Sequence, residues 1–72
     1  MTKEDYDNEK LAKLRTGMSL TQEDVAGRIG VSRFTVIRAE QGNAASWKLL
    51  QSFAEFYKVS ISDLIRPSQN AA

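Results

Sequence analysis

The junction Gly30-Val31-Ser32, which joins two short helix-forming segments, constrains the fold more than any other feature of the chain. Upstream, Thr21 stands as an N-cap before Gln22-Glu23-Asp24, whose two acids favour the positive end of a helix dipole. Val25, Ala26 and Ile29 then give a buried stripe, and the spacing predicts a helix over about 22–29. Downstream, Ser32 caps a second helix over about 33–41, with Val36 and Ala39 three apart and Gly42 suited to a left-handed C′ position. Two helices joined so tightly must cross closely, which requires small residues. Ala26 and Gly30 meet that need, and Val31 is placed to anchor the turn in the core.

The rest of the chain is read by the same punctuation. Thr2-Lys3-Glu4-Asp5 has the form of a capping box, and with Leu11 and Leu14 ahead of Gly17 it predicts a first helix over about 3–16. Trp47, Leu50, Phe53, Ala54 and Tyr57 recur at helical spacing against Lys48, Gln51, Ser52 and Glu55, an amphipathic fourth helix whose apolar stripe is assigned to the core. Ser60 with Asp63 predicts a short fifth helix stopped by Pro67, and residues 67–72 are expected to be a disordered tail. Nothing alternates with period two over four or more residues, so no strand is expected. The fold class is therefore all-α, with one domain over 1–66.

Composition then narrows function. With 72 residues the chain has room for one domain. A hydrophobic share of 42% and a charged share of 26% fit a folded module rather than a disordered tail. The absence of cysteine and histidine removes disulfides, Cys/His zinc sites, thiol nucleophiles and histidine bases, so no enzyme, metal or cofactor is expected. No apolar run approaches the ~20 residues needed to span a bilayer, and the acidic start is unlike a signal peptide; a cytoplasmic location without membrane attachment is expected. Net charge is only +1, but it is unevenly spread. Residues 1–9 set Lys3 against Glu4, Asp5, Asp7 and Glu9, whereas Lys10 to Gly42 hold six basic residues against Glu23, Asp24 and Glu40. A basic middle with an acidic arm fits a phosphate-facing surface, and equally fits ordinary solvated helix faces.

The stretch Thr21–Gly42 has the outline of a helix-turn-helix, and the chain around it resembles the Cro/repressor-type, or Xre-type, regulators over roughly residues 10–65. The likeness is carried by Leu11-x-x-Leu14-Arg15, Leu20-Thr21-Gln22-Glu23-Asp24-Val25-Ala26, Gly30-Val31-Ser32-Arg33, Glu40-x-Gly42, Leu50, Phe53-Ala54 and Val59-Ser60-x-x-x-Leu64. It implies a compact five-helix, lambda-repressor-like DNA-binding domain. Its function would be that of a sequence-specific regulator of transcription, in the first place a repressor, with its third helix in the major groove of double-stranded DNA. It further implies an ion pair between Arg15 and Glu40, and a phosphate contact from Gln22. The sequence departs from the family pattern after Gly42, where Asn43-Ala44-Ala45 is short and lacks basic residues, and at Phe34 and Ile37, where small or polar residues are usual.

On a helical wheel of the third helix, Val36, Ala39 and Glu40 share one arc, while Phe34, Ile37, Arg38 and Gln41 share the other. In a major groove the outer arc could place Arg33 or Arg38 on guanine, and Phe34 or Ile37 against a thymine methyl. Backbone amides at the starts of the second and third helices are expected to hold phosphates. The candidate phosphate contacts are Thr21, Gln22, Ser32, Thr35, Gln41 and Asn43, that of Gln22 being what the resemblance implies. The family pairs two copies on a palindromic operator, and Leu49, Phe53 and Phe56, at the edge of the fourth helix's stripe, are the candidate homodimer surface. The competing reading is a protein-interaction module, antitoxin-like or accessory, in which Phe34 and Ile37 bind protein instead of DNA.

Overall fold

The computed structural model describes residues 1–66, which form four α-helices: α1 Asn8–Gly17, α2 Gln22–Ile29, α3 Arg33–Glu40 and α4 Trp47–Tyr57. A single 3-10 turn, Ile61–Asp63, stands where a fifth helix was expected. Ser60 N–H does bond to Asp63 Oδ2 at 3.2 Å, so the start signal acts. Leu64 then turns fully into the core and Ile65 pairs with Tyr6 in an isolated antiparallel bridge, which ends the helix after one turn. Pro67 and the expected tail 67–72 lie outside the described residues.

The central hairpin forms for the reasons its sequence gives. Thr21 Oγ1 accepts from Asp24 N–H at 3.0 Å while Asp24 Oδ2 accepts from Thr21 N–H at 2.9 Å, a reciprocal capping box at the start of α2. Ser32 Oγ accepts from Thr35 N–H at 3.2 Å and opens α3. Gly30 and Gly42 both sit at φ +79°, in the left-handed region. Beyond α3, Gly42 N–H bonds to Ala39 C=O at 3.1 Å and Asn43 N–H to Arg38 C=O at 3.0 Å, the paired bonds of a Schellman motif. Gly42 is also closely overlaid, since a Cβ there would lie 2.5 Å from Lys3 Cβ.

The core is formed by Tyr6, Leu11, Val25, Ala26, Val36, Ala39, Ala45, Leu50, Phe53, Ala54, Tyr57 and Leu64. Leu14, Ile29 and Val31 pack on its rim. Trp47 departs from expectation: it is 51% exposed at the first residue of α4, where Ala45 instead of the indole enters the core. Phe53 is fully buried, so it belongs to the core and cannot form part of a dimer surface. Phe53 and Tyr57 stack with ring centroids 6.1 Å apart, one turn along the helix.

The first helix begins later than the capping-box signal predicts. Thr2 N–H does bond to Asp5 Oδ2, and Asp5 and Tyr6 N–H both reach Thr2 C=O, but this makes one turn only. Asp7 then caps α1 by accepting from Lys10 N–H at 3.1 Å. The break lets residues 1–7 run as a strap along the end of α3. Lys3 N–H bonds to Gly42 C=O at 2.9 Å, Ala45 N–H to Met1 C=O at 3.0 Å, and Asp7 N–H to Leu64 C=O at 2.7 Å.

Candidate nucleic-acid interface

The third helix is held from behind by three other segments. Arg15 Nε and Nη2 donate to Glu40 Oε2 and Oε1 at 2.8 and 3.0 Å, a two-pronged ion pair between α1 and the last residue of α3. The side chains are only 15% and 6% exposed. Arg15 Nη1 also donates to Leu20 C=O at 3.0 Å, and Gln22 Nε2 donates to Glu40 Oε1 at 3.1 Å. Glu40 thus joins α1 and the start of α2 to α3, and its hydrogen bonding pushes the Arg15 guanidinium's pKa up. From the first residue of α1, Asn8 Nδ2 donates to Glu40 C=O at 2.8 Å, and from the strap Tyr6 Oη donates to Ala39 C=O at 2.6 Å. Of the last carbonyls of α3, that of Glu40 is satisfied by Asn8, and that of Ala39, which already accepts from Gly42 N–H, takes Tyr6 as a second donor.

Held there, α3 turns Val36 and Ala39 inward and leaves Arg33, Phe34 and Arg38 exposed. Phe34 is 64% exposed, with the Arg38 guanidinium carbon 5.7 Å from its ring centroid. Ile37 is half-buried at the flank, so the outer arc of the wheel is less uniform than its spacing implies. Beside this face runs an open groove of about 270 Å³, with Phe34, Thr35 and Arg38 on one side and Ala44, Ala45, Ser46 and Leu49 on the other.

The remaining candidates occupy the helix starts and the loop after α3. Thr21 is exposed and caps α2, where its N–H and hydroxyl hold the Asp24 carboxyl below its ordinary pKa. Ser32 Oγ and Thr35 Oγ1 lie 2.9 Å apart at the start of α3. Asn43 Nδ2 donates to Gln41 Oε1 at 3.0 Å, both side chains on the surface of the loop. Leu49 and Phe56 are half-buried: Leu49 lines the groove beside α3, and Phe56 lines another depression with Arg28, Ile29, Ser52 and Glu55.

Sequence reasoning missed Tyr6 and Asn8, which fix the end of α3. The available signal was a lone aromatic ring among the acids of residues 4–9, a poor fit to a solvated arm. It also missed the Glu40 carbonyl as a reason for the start of the chain to dock on α3.

This arrangement leaves one face of a short, rigidly mounted helix free, edged by capped helix starts. Among the described residues no three acidic side chains gather as a metal site, and no helix is long and apolar enough to cross a membrane. Comparison with known proteins bears on what such a face does. A family profile described as helix-turn-helix matches residues 11–64. The chain is 39% identical over 59 residues to the HTH-type transcriptional activator BcrR of Enterococcus faecalis, covering 81% of this chain and 29% of that protein. It is 45% identical over 56 residues to the uncharacterized HTH-type transcriptional regulator MJ0272 of Methanocaldococcus jannaschii, covering 76% of this chain and 85% of that protein. It is 34% identical over 61 residues to the cryptic phage CTXphi transcriptional repressor RstR of Vibrio cholerae, covering 83% of this chain and 55% of that protein. The capped hairpin, the exposed α3 face and these matches together establish that the chain belongs to the helix-turn-helix family of DNA-binding transcriptional regulators, which are not enzymes.

Proposed function

We propose that the domain represses transcription by laying α3 in the major groove of a palindromic operator, two copies binding together. The observation that carries this reading is the exposure of Arg33, Phe34 and Arg38 on a helix whose other side is locked by Val36, Ala39 and the Arg15–Glu40 pair. Arginines read guanine O6 and N7 in the major groove, and an aromatic ring meets thymine methyl groups there. Thr21, Gln22, Ser32, Thr35, Gln41 and Asn43 hold the flanking phosphates, assisted by backbone N–H groups at the starts of α2 and α3. Occupying a promoter is enough to exclude polymerase, whereas activation needs a further protein contact. The likeness to the repressor RstR supports the choice, although the likeness to the activator BcrR runs the other way.

Anisotropy against random duplex at two salt concentrations, followed by selection of bound sites from a random pool, tests the proposal. Phosphate-driven binding must weaken steeply with salt, and a palindromic product is expected. A promoter carrying that product should be silenced by the protein in a reporter assay. Binding that ignores salt and enriches no sequence would favour the protein-interaction reading of Phe34 and Ile37.

A further inference from the structure

We infer that Phe34 and Arg38 form a single reading unit for a thymine and a guanine within two base-pair steps of each other, Phe34 taking the thymine methyl and Arg38 the guanine edge. The inference rests on α3 being the DNA-facing helix and adds to it a base pattern. Residues four apart lie one above the other on a helix, so these two side chains share a face of α3. The Arg38 guanidinium carbon is 5.7 Å from the Phe34 centroid, within cation–π range. The stack limits the rotamers of a long side chain before any ligand arrives, so less freedom is lost on binding.

The exposure of Phe34 is the second observation. At 64% it is the most exposed large apolar side chain among the described residues. It cannot enter the core, because the inward face of α3 is filled by Val36 and Ala39. In a major groove the apolar group offered to such a ring is the C5-methyl of thymine, while guanine offers the paired acceptors that suit a guanidinium. Stacked base pairs rise about 3.4 Å per step. Two groups 5.7 Å apart fall between the rise of one step and the about 6.8 Å of two, and well short of the about 10 Å of three, so the two bases they reach lie within two steps of each other.

The test uses the whole chain and its sequence selected from random duplex. The selected half-site should contain a thymine and a guanine no more than two base-pair steps apart. Replacing that thymine by deoxyuracil removes only the methyl and should weaken wild-type binding roughly fourfold, the equivalent of one buried methyl group. Phe34→Ala should bind the thymine site more weakly and be indifferent to the deoxyuracil exchange. Replacing the guanine by 7-deazaguanine should weaken wild type but not Arg38→Ala, and should weaken Phe34→Ala less than wild type, because the stack is gone. Both side chains are exposed, and circular dichroism checks that each variant stays folded. A selected half-site without a thymine and a guanine within two steps of each other overturns the inference while leaving DNA binding intact. So does a deoxyuracil penalty that is undiminished in Phe34→Ala. Failure to select any sequence overturns the DNA-facing reading itself, and the inference with it.

Discussion

The Tyr6 hydroxyl donates a 2.6 Å hydrogen bond to the Ala39 carbonyl, joining the first turn of the chain to the last turn of α3 across 33 residues. The ring is fully buried, and its bond is a second one on a carbonyl that also accepts from Gly42 N–H. Tyr6→Phe keeps the ring and removes the bond, and is expected to cost ~0.5–1.5 kcal/mol. For a domain of this size each 1 kcal/mol lowers Tm by about 4–8 °C. Tyr6→Ala also leaves a cavity and should cost ~3–5 kcal/mol. A thermal melt in which both variants match wild type would show that the strap is not part of the folded unit.

Breaking the Arg15–Glu40 pair should be costly from either side. Both side chains are largely shielded from water, and Glu40 also receives Gln22. Removing one partner strands a charge in that setting, for which the expected loss is ~3–5 kcal/mol, against under ~1 kcal/mol for an exposed pair. Denaturant melts of Arg15→Ala, Glu40→Ala and the double variant give the coupling directly. Each single change should be severe, and the double should cost far less than their sum. Additive losses would mean that the two charges act independently.

The helices legible in the sequence were those whose signals are local. Thr21 with Asp24, Ser32, Gly30 and Gly42 each set one boundary of α2 or α3, and the chain obeys them. The signals failed where a distant contact overrode them. Thr2-Asp5 starts a turn that Tyr6 ends by entering the core, and Ser60-Asp63 starts one that Leu64 ends in the same way. Glycine also misled at the end of α1: Gly17 is its last residue, and the left-handed position falls on Ser19. On the candidate site, the wheel separated Val36 and Ala39 from Phe34 and Arg38. It could not show that Phe53 lies wholly inside while Trp47 lies outside, because that depends on which end of α4 the other helices cover.

Alkaline pH should unfold the domain through its tyrosines. The chain has two, and both are buried. Burial pushes the Tyr57 phenol from 10.0 up to about 12, with the nearby Glu40 charge adding to the effect, and burial also pushes Tyr6 up. A phenol whose folded pKa is raised contributes stability that is whole below about pH 10 and falls as pH rises toward about 12. Ultraviolet difference titration should therefore show little phenolate near pH 10, then a rise that coincides with loss of helical signal. Tyr57→Phe should flatten this pH dependence. At neutral pH it should cost nothing, because the Tyr57 hydroxyl has no hydrogen-bond partner within the protein. Ordinary tyrosine titration in a still-helical protein would contradict the expectation.

Base and backbone contacts should separate in binding measurements. Arg38→Ala is expected to cost about 1–3 kcal/mol on the selected site and little on random duplex. Arg33→Ala should do the same if both arginines read bases. Gln22→Ala should weaken both DNAs alike, because a phosphate contact carries no sequence information. Gln22 also donates to Glu40, so its melting temperature is measured alongside. Equal losses on both DNAs for Arg38→Ala would assign that arginine to the backbone.

Pairing of two copies makes the last prediction, and the burial pattern of α4 decides which residue can test it. A recognition helix covers one half-site, and two lie about 34 Å apart on one face of the duplex when the protein binds as a dimer. Phe53 cannot serve such a contact, because it is fully buried and stacked on Tyr57. Phe56 can: it is half-buried, and it opens onto a depression flanked by Arg28 and Glu55. One ring edge meets Tyr57, with centroids 5.1 Å apart, so the residue is seated in the fold but not enclosed by it. Two copies related by a two-fold axis could then bring Phe56 to Phe56, with Arg28 of each near Glu55 of the other. Burying the exposed remainder of one aromatic ring contributes less than the ~1.5–3 kcal/mol of a whole side chain, so association should be weak without DNA and completed on it. Sedimentation of wild type and of Phe56→Glu, with and without the palindromic site, reads this out. The variant is expected to stay folded and monomeric, and to lose cooperative occupancy of the two half-sites. Phe56→Leu, which keeps an apolar surface, should retain most of it. A folded Phe56→Glu that still binds both half-sites cooperatively would remove this face from the dimer.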